Sequence, residues 1–203
     1  MVTAQDPRPT QAERSRRTRS ALLESAARGL SRYGYANLVL ERVAADAGYT
    51  RGALYHLFAN KEDLALAVVE WVEETWYDEV GQLASSRSDP VGSLLDIARG
   101  HAIYCRRDIA RVMMTLRVEF NGQDHPVGQT IQKVGRRLVS DCSRMITAGR
   151  KDGSIPPGPP PRVLALALVG ALEGLTIELA GHAPHDVVLA ERLVLSLLGL
   201  PPA

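Results

Sequence analysis

The stretch from Gly34 to Leu64 reads GYANLVLERVAADAGYTRGALYHLFANKEDL, and it decides the fold of the N-terminal part of the chain. Its apolar residues recur at helical spacing, which predicts short amphipathic helices. Gly48 is suited to end one of these helices, and the hydroxyl of Thr50 can cap the start of the next. Two short helices joined by a tight turn have the outline of a helix-turn-helix, whose second helix enters the major groove of DNA.

The second helix of this motif carries side chains suited to DNA contact on its outward face. Arg51 can form two hydrogen bonds with guanine, and Tyr55 and His56 can reach phosphates. The alternative is that Tyr55 and His56 cover a three-helix core and that Arg51 is a solvated charge. The predicted DNA-binding residues are Arg19, Val39, Leu40, Thr50, Arg51, Gly52, Ala53, Tyr55, His56 and Lys61.

The string as a whole resembles the DNA-binding domain of TetR-family transcriptional regulators over roughly residues 15–64. The residues that carry the resemblance are Arg19, Leu22, Leu23, Gly34, Tyr35, Val43, Ala44, Ala47, Gly48, Thr50, Gly52, Leu54, Tyr55, Phe58, Lys61, Glu62 and Leu64. The resemblance implies a dimeric repressor with a ligand cavity in its C-terminal domain. It also implies that filling the cavity alters the spacing of the two DNA-reading heads.

Two positions depart from the pattern of that family. Family members usually place Thr or Ser just before the second helix, where the hydroxyl caps the helix and touches a phosphate, but Val39 stands here. An anchor at this point must therefore come from backbone N–H groups at the helix start, or Asn37 must cap the helix instead. Tyr49 replaces the usual small aliphatic residue of the turn.

Charge is divided unevenly along the chain. The whole sequence holds 24 Lys and Arg residues and 23 Asp and Glu residues, for a net charge of +1. Residues 1–61 contain ten basic and five acidic residues, whereas residues 62–203 contain 14 and 18. The basic part indicates nucleic acid or an anionic membrane as a partner, and the resemblance to TetR-family regulators implies a double-stranded DNA operator. The arginine-rich stretch from Arg8 to Arg19 either follows the DNA backbone or is a disordered, solubilising tail.

We predict an all-α fold of about nine helices, because apolar residues recur at helical spacing almost throughout. Residues 1–17 are expected to form a flexible basic arm, and the first helix is expected to start near Thr18. Residues 18–60 are expected to form the helix-turn-helix DNA-binding domain. Residues 61–203 are expected to form a regulatory domain for ligand binding and dimerisation.

The last two predicted helices, about 162–180 and 185–198, carry more apolar surface than one face must bury within a domain. A four-helix interface between two copies of the chain accounts for this surface, and the alternative is an internal helix pair in a monomer. A homodimer also places two heads on successive major grooves, about 34–36 Å apart. The predicted interface residues are Leu164, Leu168, Gly170, Leu172, Gly174, Leu175, Val188 and Leu195.

Polar or pliable residues interrupt the apolar helices of the regulatory domain, a mixture typical of small-molecule sites. Taken singly, each has a simpler explanation: Met and Phe at this spacing are more often core residues, His101 is explained as a hydrogen-bonded core histidine, and Arg117 as the partner of a nearby acid. The predicted ligand-binding residues are His101, Tyr104, Met113, Met114, Arg117, Phe120, Met145 and Glu173. They do not identify the small-molecule effector, and the low counts of two Phe and two Trp argue against an aromatic-rich pocket.

Other classes of protein find little support in the sequence. Two distant cysteines, Cys105 and Cys142, indicate a reducing cytoplasm, and no membrane span is expected. Catalytic, cofactor and metal-ligand motifs are missing, so we expect no enzyme, no cofactor and no metal site. The alternatives to a repressor are an all-α protein-binding adaptor and a small-molecule-binding helical protein without operator binding.

Overall fold

The computed structural model describes residues 10–201, and every regular element in that range is a helix. The N-terminal elements are α1 (Gln11–Tyr33), α2 (Leu40–Asp46), α3 (Arg51–Leu57) and α4 (Lys61–Trp76), which continues through a π-helical turn (Tyr77–Gly81) into α5 (Gln82–Ser86). The remaining elements are α6 (Pro90–Tyr104), a 3-10 turn (Asp108–Arg111), α7 (Val112–Glu119), α8 (Pro126–Asp152), α9 (Pro161–Glu178) and α10 (His185–Leu198). With α4, the π turn and α5 counted as one continuous rod, residues 10–201 form nine α-helices, so the predicted all-α fold is confirmed.

Side-chain caps explain where the short helices of the N-terminal part begin. The hydroxyl of Thr50 accepts a hydrogen bond from the backbone N–H of Ala53 at 3.2 Å, which caps α3. The amide oxygen of Asn60 accepts one from the N–H of Asp63 at 2.9 Å, which caps α4. Each cap satisfies a backbone donor that has no partner within its own helix, and such a bond is worth about 1 kcal/mol.

Helix α1 begins earlier than the sequence predicts. Thr10 and Glu13 form a capping box, in which the Thr10 hydroxyl accepts from the Glu13 N–H at 3.2 Å and Glu13 accepts from the Thr10 N–H at 2.6 Å. The predicted start near Thr18 is wrong because it relied on the apolar stripe, which is continuous only from Leu22 onward. Residues 11–17 of the predicted arm are therefore helical, whereas Arg8 and the rest of residues 1–9 lie outside the described residues.

Two hydrophobic cores hold the helices together. The first core joins α1, α2, α3 and α4 to buried residues of α7 and the start of α8, including Leu116 and Ile131. The second core joins α6, the rest of α8, α9 and α10 around residues such as Leu94 and Leu168. Since the first core continues past residue 61, α1 packs on α7 and α4 packs on α7 and α8, while α2 and α3 pack on α1.

Helix α9 has two apolar faces, of which one is buried in the chain and the other is exposed. One face buries Leu164, Leu168 and Leu172 against the rest of the chain, and Leu195 of α10 is buried as well. These four leucines are thus core residues rather than interface residues, while Leu175 is half-buried. The opposite face stays exposed, and its apolar and glycine residues are Val163, Leu166, Gly170, Gly174 and Ile177 of α9, with Val188 and Leu189 of α10.

Candidate nucleic-acid interface and ligand cavity

Helix α3 presents an exposed face whose side chains hold one another in place. The guanidinium of Arg51 lies 5.2 Å from the centroid of the Tyr55 ring and 3.1 Å from a carboxylate oxygen of Glu41 on α2. His56, Gly52 and Thr50 are exposed on the same short helix or at its start, and Ala53 is half-buried. Leu54 is buried and anchors the helix in the first core. Helix α3 is thus anchored on its buried side, and its opposite side is exposed to solvent.

The start of α2 has no side-chain cap. Val39 occupies the cap position, is 53% exposed and makes no capping hydrogen bond. Asn37 does not replace it, because its side-chain amide donates to the carbonyl of Tyr33 at 3.1 Å. The side chain of Leu40 is buried in the first core, which corrects its assignment as a DNA-contacting side chain. What α2 can offer a phosphate is therefore its first backbone N–H groups.

Two predicted DNA-binding cations already have partners within the chain. The guanidinium of Arg19 lies 4.9 Å from the ring centroid of buried Phe58. The ammonium of Lys61 donates to the carbonyl of Ala36 at 2.8 Å and lies 4.8 Å from the centroid of the Tyr35 ring. An ammonium has three donors, so Lys61 fastens the loop after α1 and keeps donors for a phosphate.

The loop between α1 and α2 is also held by α7, through a residue that the sequence did not single out. The carboxylate of Glu119, at the end of α7, accepts hydrogen bonds from the backbone N–H groups of Tyr35 at 2.6 Å and Ala36 at 2.7 Å. These partners are more than 80 positions apart, so no local pattern could have revealed the contact. The carboxylate fits because Gly34, with φ +73° and ψ 179°, turns the chain toward it.

Aromatic rings extend this junction. Phe120, a predicted ligand-binding residue, is only 4% exposed and stacks on His125 with ring centroids 4.3 Å apart. Both rings meet Tyr35 edge-on, each with a centroid separation of 5.2 Å. Phe120 therefore belongs to the junction between α7 and the helix-turn-helix rather than to a cavity.

A cavity of about 770 Å³ lies between α4, α6, α7, α8 and α9. It brings together five of the predicted ligand-binding residues: His101, Tyr104, Met113, Arg117 and Glu173. Met114 lines a smaller cavity beside it that shares His101 and Met113. Met145 packs against the second core instead. Trp76, Tyr77 and Tyr104 all face the large cavity, so the low Phe and Trp counts understated its aromatic content.

The inner wall of this cavity holds a small polar network. The indole N–H of Trp76 donates to Nδ1 of His101 at 3.1 Å, so the proton of the neutral imidazole lies on Nε2, 3.6 Å from the sulfur of Cys105. Burial, together with the nearby Arg117, lowers the pKa of His101 from 6.5 to about 4. Arg117 is paired with Glu173 across the cavity wall. At neutral pH this wall therefore offers ligands an uncharged imidazole and a closed ion pair.

We expect acid to destabilise the protein through His101. The unfolded chain takes up a proton near pH 6.5 whereas the folded chain does so near pH 4, so stability from the neutral imidazole is full above pH 6.5 and is lost as the pH falls toward 4. Between pH 7 and pH 5 this loss amounts to about 2 kcal/mol in the free energy of unfolding. Urea unfolding at fixed protein concentration should show it in the wild type and in a control, His182→Gln, but not in His101→Gln. Equal pH slopes in all three proteins would contradict the buried neutral imidazole.

The arrangement defines an all-helical protein with an exposed helix-turn-helix and a cavity behind it, and known proteins share its parts. Residues 22–68 match the family model described as "Bacterial regulatory proteins, tetR family". The A-factor receptor protein of Streptomyces griseus is 30% identical over 167 residues, which cover 81% of this chain and 55% of that protein. The chain spans between half and two thirds of the length of the first curated relatives it matches.

Solved structures share the fold over nearly the whole chain. SCO4454, a TetR-family transcriptional regulator from Streptomyces coelicolor, superimposes with a TM-score of 0.76 at 19% identity, covering 91% of this chain and 95% of that one. AibR, solved in complex with isovaleryl coenzyme A and operator DNA, superimposes with a TM-score of 0.69 at 22% identity, covering 92% and 100%. Residues 22–68 therefore match the tetR family of bacterial regulatory proteins, and the described chain has the fold of a solved TetR-family regulator.

Proposed function

We propose that the protein is a transcriptional regulator, most simply a repressor, that binds a palindromic operator as a homodimer and is released by a small-molecule effector. The observation that carries this proposal is the open face of α3, where Arg51 and Tyr55 are stacked 5.2 Å apart and nothing in the described chain covers them. Such a short, firmly anchored helix is suited to the major groove. The proposal places the protein in the cytoplasm with the DNA, and it assigns no catalytic role to any residue.

The exposed faces of α9 and α10 support the dimer. Gly170 and Gly174 lie one turn apart on α9, and a Cβ added at either position would meet no atom within 4 Å. Large apolar side chains flank them, with Leu166 54% exposed and Ile177 41% exposed. The glycines allow two helices to approach closely while their neighbours supply apolar contact area. This face, rather than the buried leucine stripe, is the surface we assign to the partner subunit.

Helix α7 supports a route by which the cavity controls the DNA-reading head. Met113 and Arg117 line the cavity from this helix, while Glu119, at its end, holds the backbone of Tyr35 and Ala36. A ligand that displaces α7 must also displace the loop between α1 and α2. In each subunit, α7 is bound to the loop between α1 and α2. Ligand binding therefore changes the separation of the two recognition helices in the dimer. That separation must match the spacing of successive major grooves.

Selection of operator sequences from random duplex DNA tests the proposal. We expect one palindromic sequence to be enriched and its affinity to fall steeply with salt, since phosphate contacts release counterions. Arg51→Ala should weaken binding to that sequence by about 1–3 kcal/mol and relax the preference at one base pair, as expected for a guanine contact. Arg87→Ala, which removes an exposed arginine far from α3, is the matched control and should bind like the wild type.

The outcomes of this experiment separate the candidate roles. Uniform weakening of Arg51→Ala on all duplexes would make Arg51 a phosphate contact and leave the regulator proposal intact. Absence of any preferred duplex after repeated selection would refute operator binding. It would instead favour a helical ligand-binding protein or an adaptor for protein partners.

A further inference from the structure

The large cavity is lined by an unusual excess of acidic side chains. Its wall contains six carboxylates but only two guanidiniums. The carboxylates belong to Glu70, Glu73, Glu74, Asp78, Asp141 and Glu173, and the guanidiniums belong to Arg117 and Arg137. Small-molecule sites are usually apolar with a few placed polar groups, so this charge pattern restricts which ligands fit.

Both guanidiniums in the wall are already neutralised by neighbouring carboxylates. Arg117 pairs with Glu173, and Nη1 of Arg137 lies 2.8 Å from Oε1 of Glu73. An anionic ligand would have to break one of these pairs to gain a cation. Because each arginine already has a carboxylate partner, the two arginines offer a carboxylate or a phosphate no unpaired positive charge.

Three carboxylates remain without a cation. Within residues 10–201, no Lys, Arg or His nitrogen lies within 4.0 Å of a carboxylate oxygen of Glu70, Glu74 or Asp78. Glu70 and Glu74 lie one turn apart on α4, and Asp78 follows one turn later in the π-helical turn, where it accepts a hydrogen bond from Gln82 at 2.9 Å. All three are exposed residues that border the open side of the cavity, so their negative potential falls on the same side of the space that a ligand would fill.

The rest of the wall suits an apolar body next to a positive charge. Trp76, Tyr77 and Tyr104 line the cavity together with Val72, Met113 and Leu138. Aromatic faces attract cations as well as apolar groups. The wall has no competing positive imidazole at neutral pH, since burial lowers the pKa of His101 to about 4.

From this arrangement we infer that the effector cavity selects amphiphilic cations, in which an apolar or aromatic body carries an amine or another positively charged group. The inference rests on the proposed ligand-responsive function and names its ligand class. The apolar body lies against the rings of Trp76 and Tyr104, and the positive group faces Glu70, Glu74 and Asp78. Polyanionic ligands such as acyl-coenzyme A are excluded, because their phosphates would meet like charges along α4.

Two probes of nearly equal size and opposite charge test this inference: tetraphenylphosphonium and tetraphenylborate. We expect calorimetry on the full-length protein to show at least about tenfold tighter binding of the phosphonium. The double variant Glu70→Gln/Glu74→Gln should weaken phosphonium binding by about tenfold and make it less dependent on salt. Glu178→Gln, which neutralises an exposed carboxylate of α9 outside the cavity, is the matched control and should bind both probes like the wild type.

Fluorescence places the probe in the cavity. The chain has two Trp residues, so Trp71→Phe leaves Trp76 as the reporter in the cavity wall. Phosphonium binding should change the Trp76 emission with the same dissociation constant that calorimetry gives. A calorimetric signal without a change in Trp76 emission would overturn the assignment to this cavity.

Other outcomes are equally decisive. Equal or tighter binding of the borate, or no binding of either probe, would overturn the charge selection. Failure of operator release is a separate result: if the phosphonium binds the cavity but leaves operator affinity unchanged, the ligand class stands and the proposed release by effectors fails.

Discussion

Replacement of Gly174 by Glu is expected to leave a folded monomer whose dimerisation and operator affinity are each weakened by about 1,000-fold. Gly174 is exposed on α9, with open space where a side chain would project, so the monomer can accept the new residue. Its helix should even gain about 0.5–1 kcal/mol, because Glu favours a helix more than Gly does. In a two-fold dimer, however, the carboxylate is buried twice and keeps the helices apart.

Sedimentation and operator titration measure the two effects separately. Ala148→Glu, another exposed small residue changed to Glu on a helix outside this face, is the control and should remain dimeric. If Gly174→Glu still sediments as a dimer, the exposed face of α9 is not the interface. Operator affinity falls because the variant no longer dimerises, since a single short recognition helix makes too few base contacts for specific binding.

Replacement of Gly34 by Ala is expected to lower the free energy of unfolding by about 3 kcal/mol. Gly34 has φ +73° and ψ 179°, a backbone region that is essentially closed to other residues and costs about 1–3 kcal/mol to enter. A Cβ at this position would also lie 2.7 Å from a carboxylate oxygen of Glu119. The carboxylate must then move away from the N–H groups of Tyr35 and Ala36, and two charge-assisted hydrogen bonds are weakened.

Gly48→Ala provides the matched control for Gly34→Ala. Gly48 has a similar φ of +78°, but a Cβ there would meet no atom within 4 Å. Its replacement should therefore cost only the backbone strain, about 1–2 kcal/mol. Urea unfolding of both variants at one protein concentration should show the larger loss for Gly34→Ala, which disturbs the Glu119 contact as well as straining the backbone. Equal losses in the two variants would mean that Glu119 does not stabilise the junction.

The helix-turn-helix was predictable because its information is local. Thr50 caps the helix that it was expected to cap, and Leu54 and Phe58, which recur at helical spacing, lie in the core. The predicted alternative cap by Asn37 fails because the nearby carbonyl of Tyr33 takes its amide. Local patterns thus predict the helices of the N-terminal part. They do not predict whether the side chain of Asn37 caps α2 or binds the carbonyl of Tyr33.

The regulatory part was less predictable because its information is not local. Helix α9 is apolar nearly all round, so its sequence does not reveal which stripe faces its own core, and Leu168 and Leu172 were placed in the interface for that reason. The sequence predicted part of the cavity wall, including His101 and Arg117, but it did not predict the acidic residues of α4 that border the cavity. Glu70 and Glu74 are exposed and look like an ordinary solvated helix face, and only the fold shows that they border the cavity.

The contact made by Glu119 leaves the side chains of α3 free to change in sequence. The carboxylate binds the main chain of residues 35 and 36, and every residue except proline supplies the required N–H. The contact therefore places no demand on the side chains of α3, where Arg51 and Tyr55 lie. In the proposed regulator, substitutions on α3 can therefore change operator preference without disturbing the contact between Glu119 and the loop. The residues of α3 can thus be exchanged, provided that Gly34 and the backbone path of residues 35 and 36 are kept.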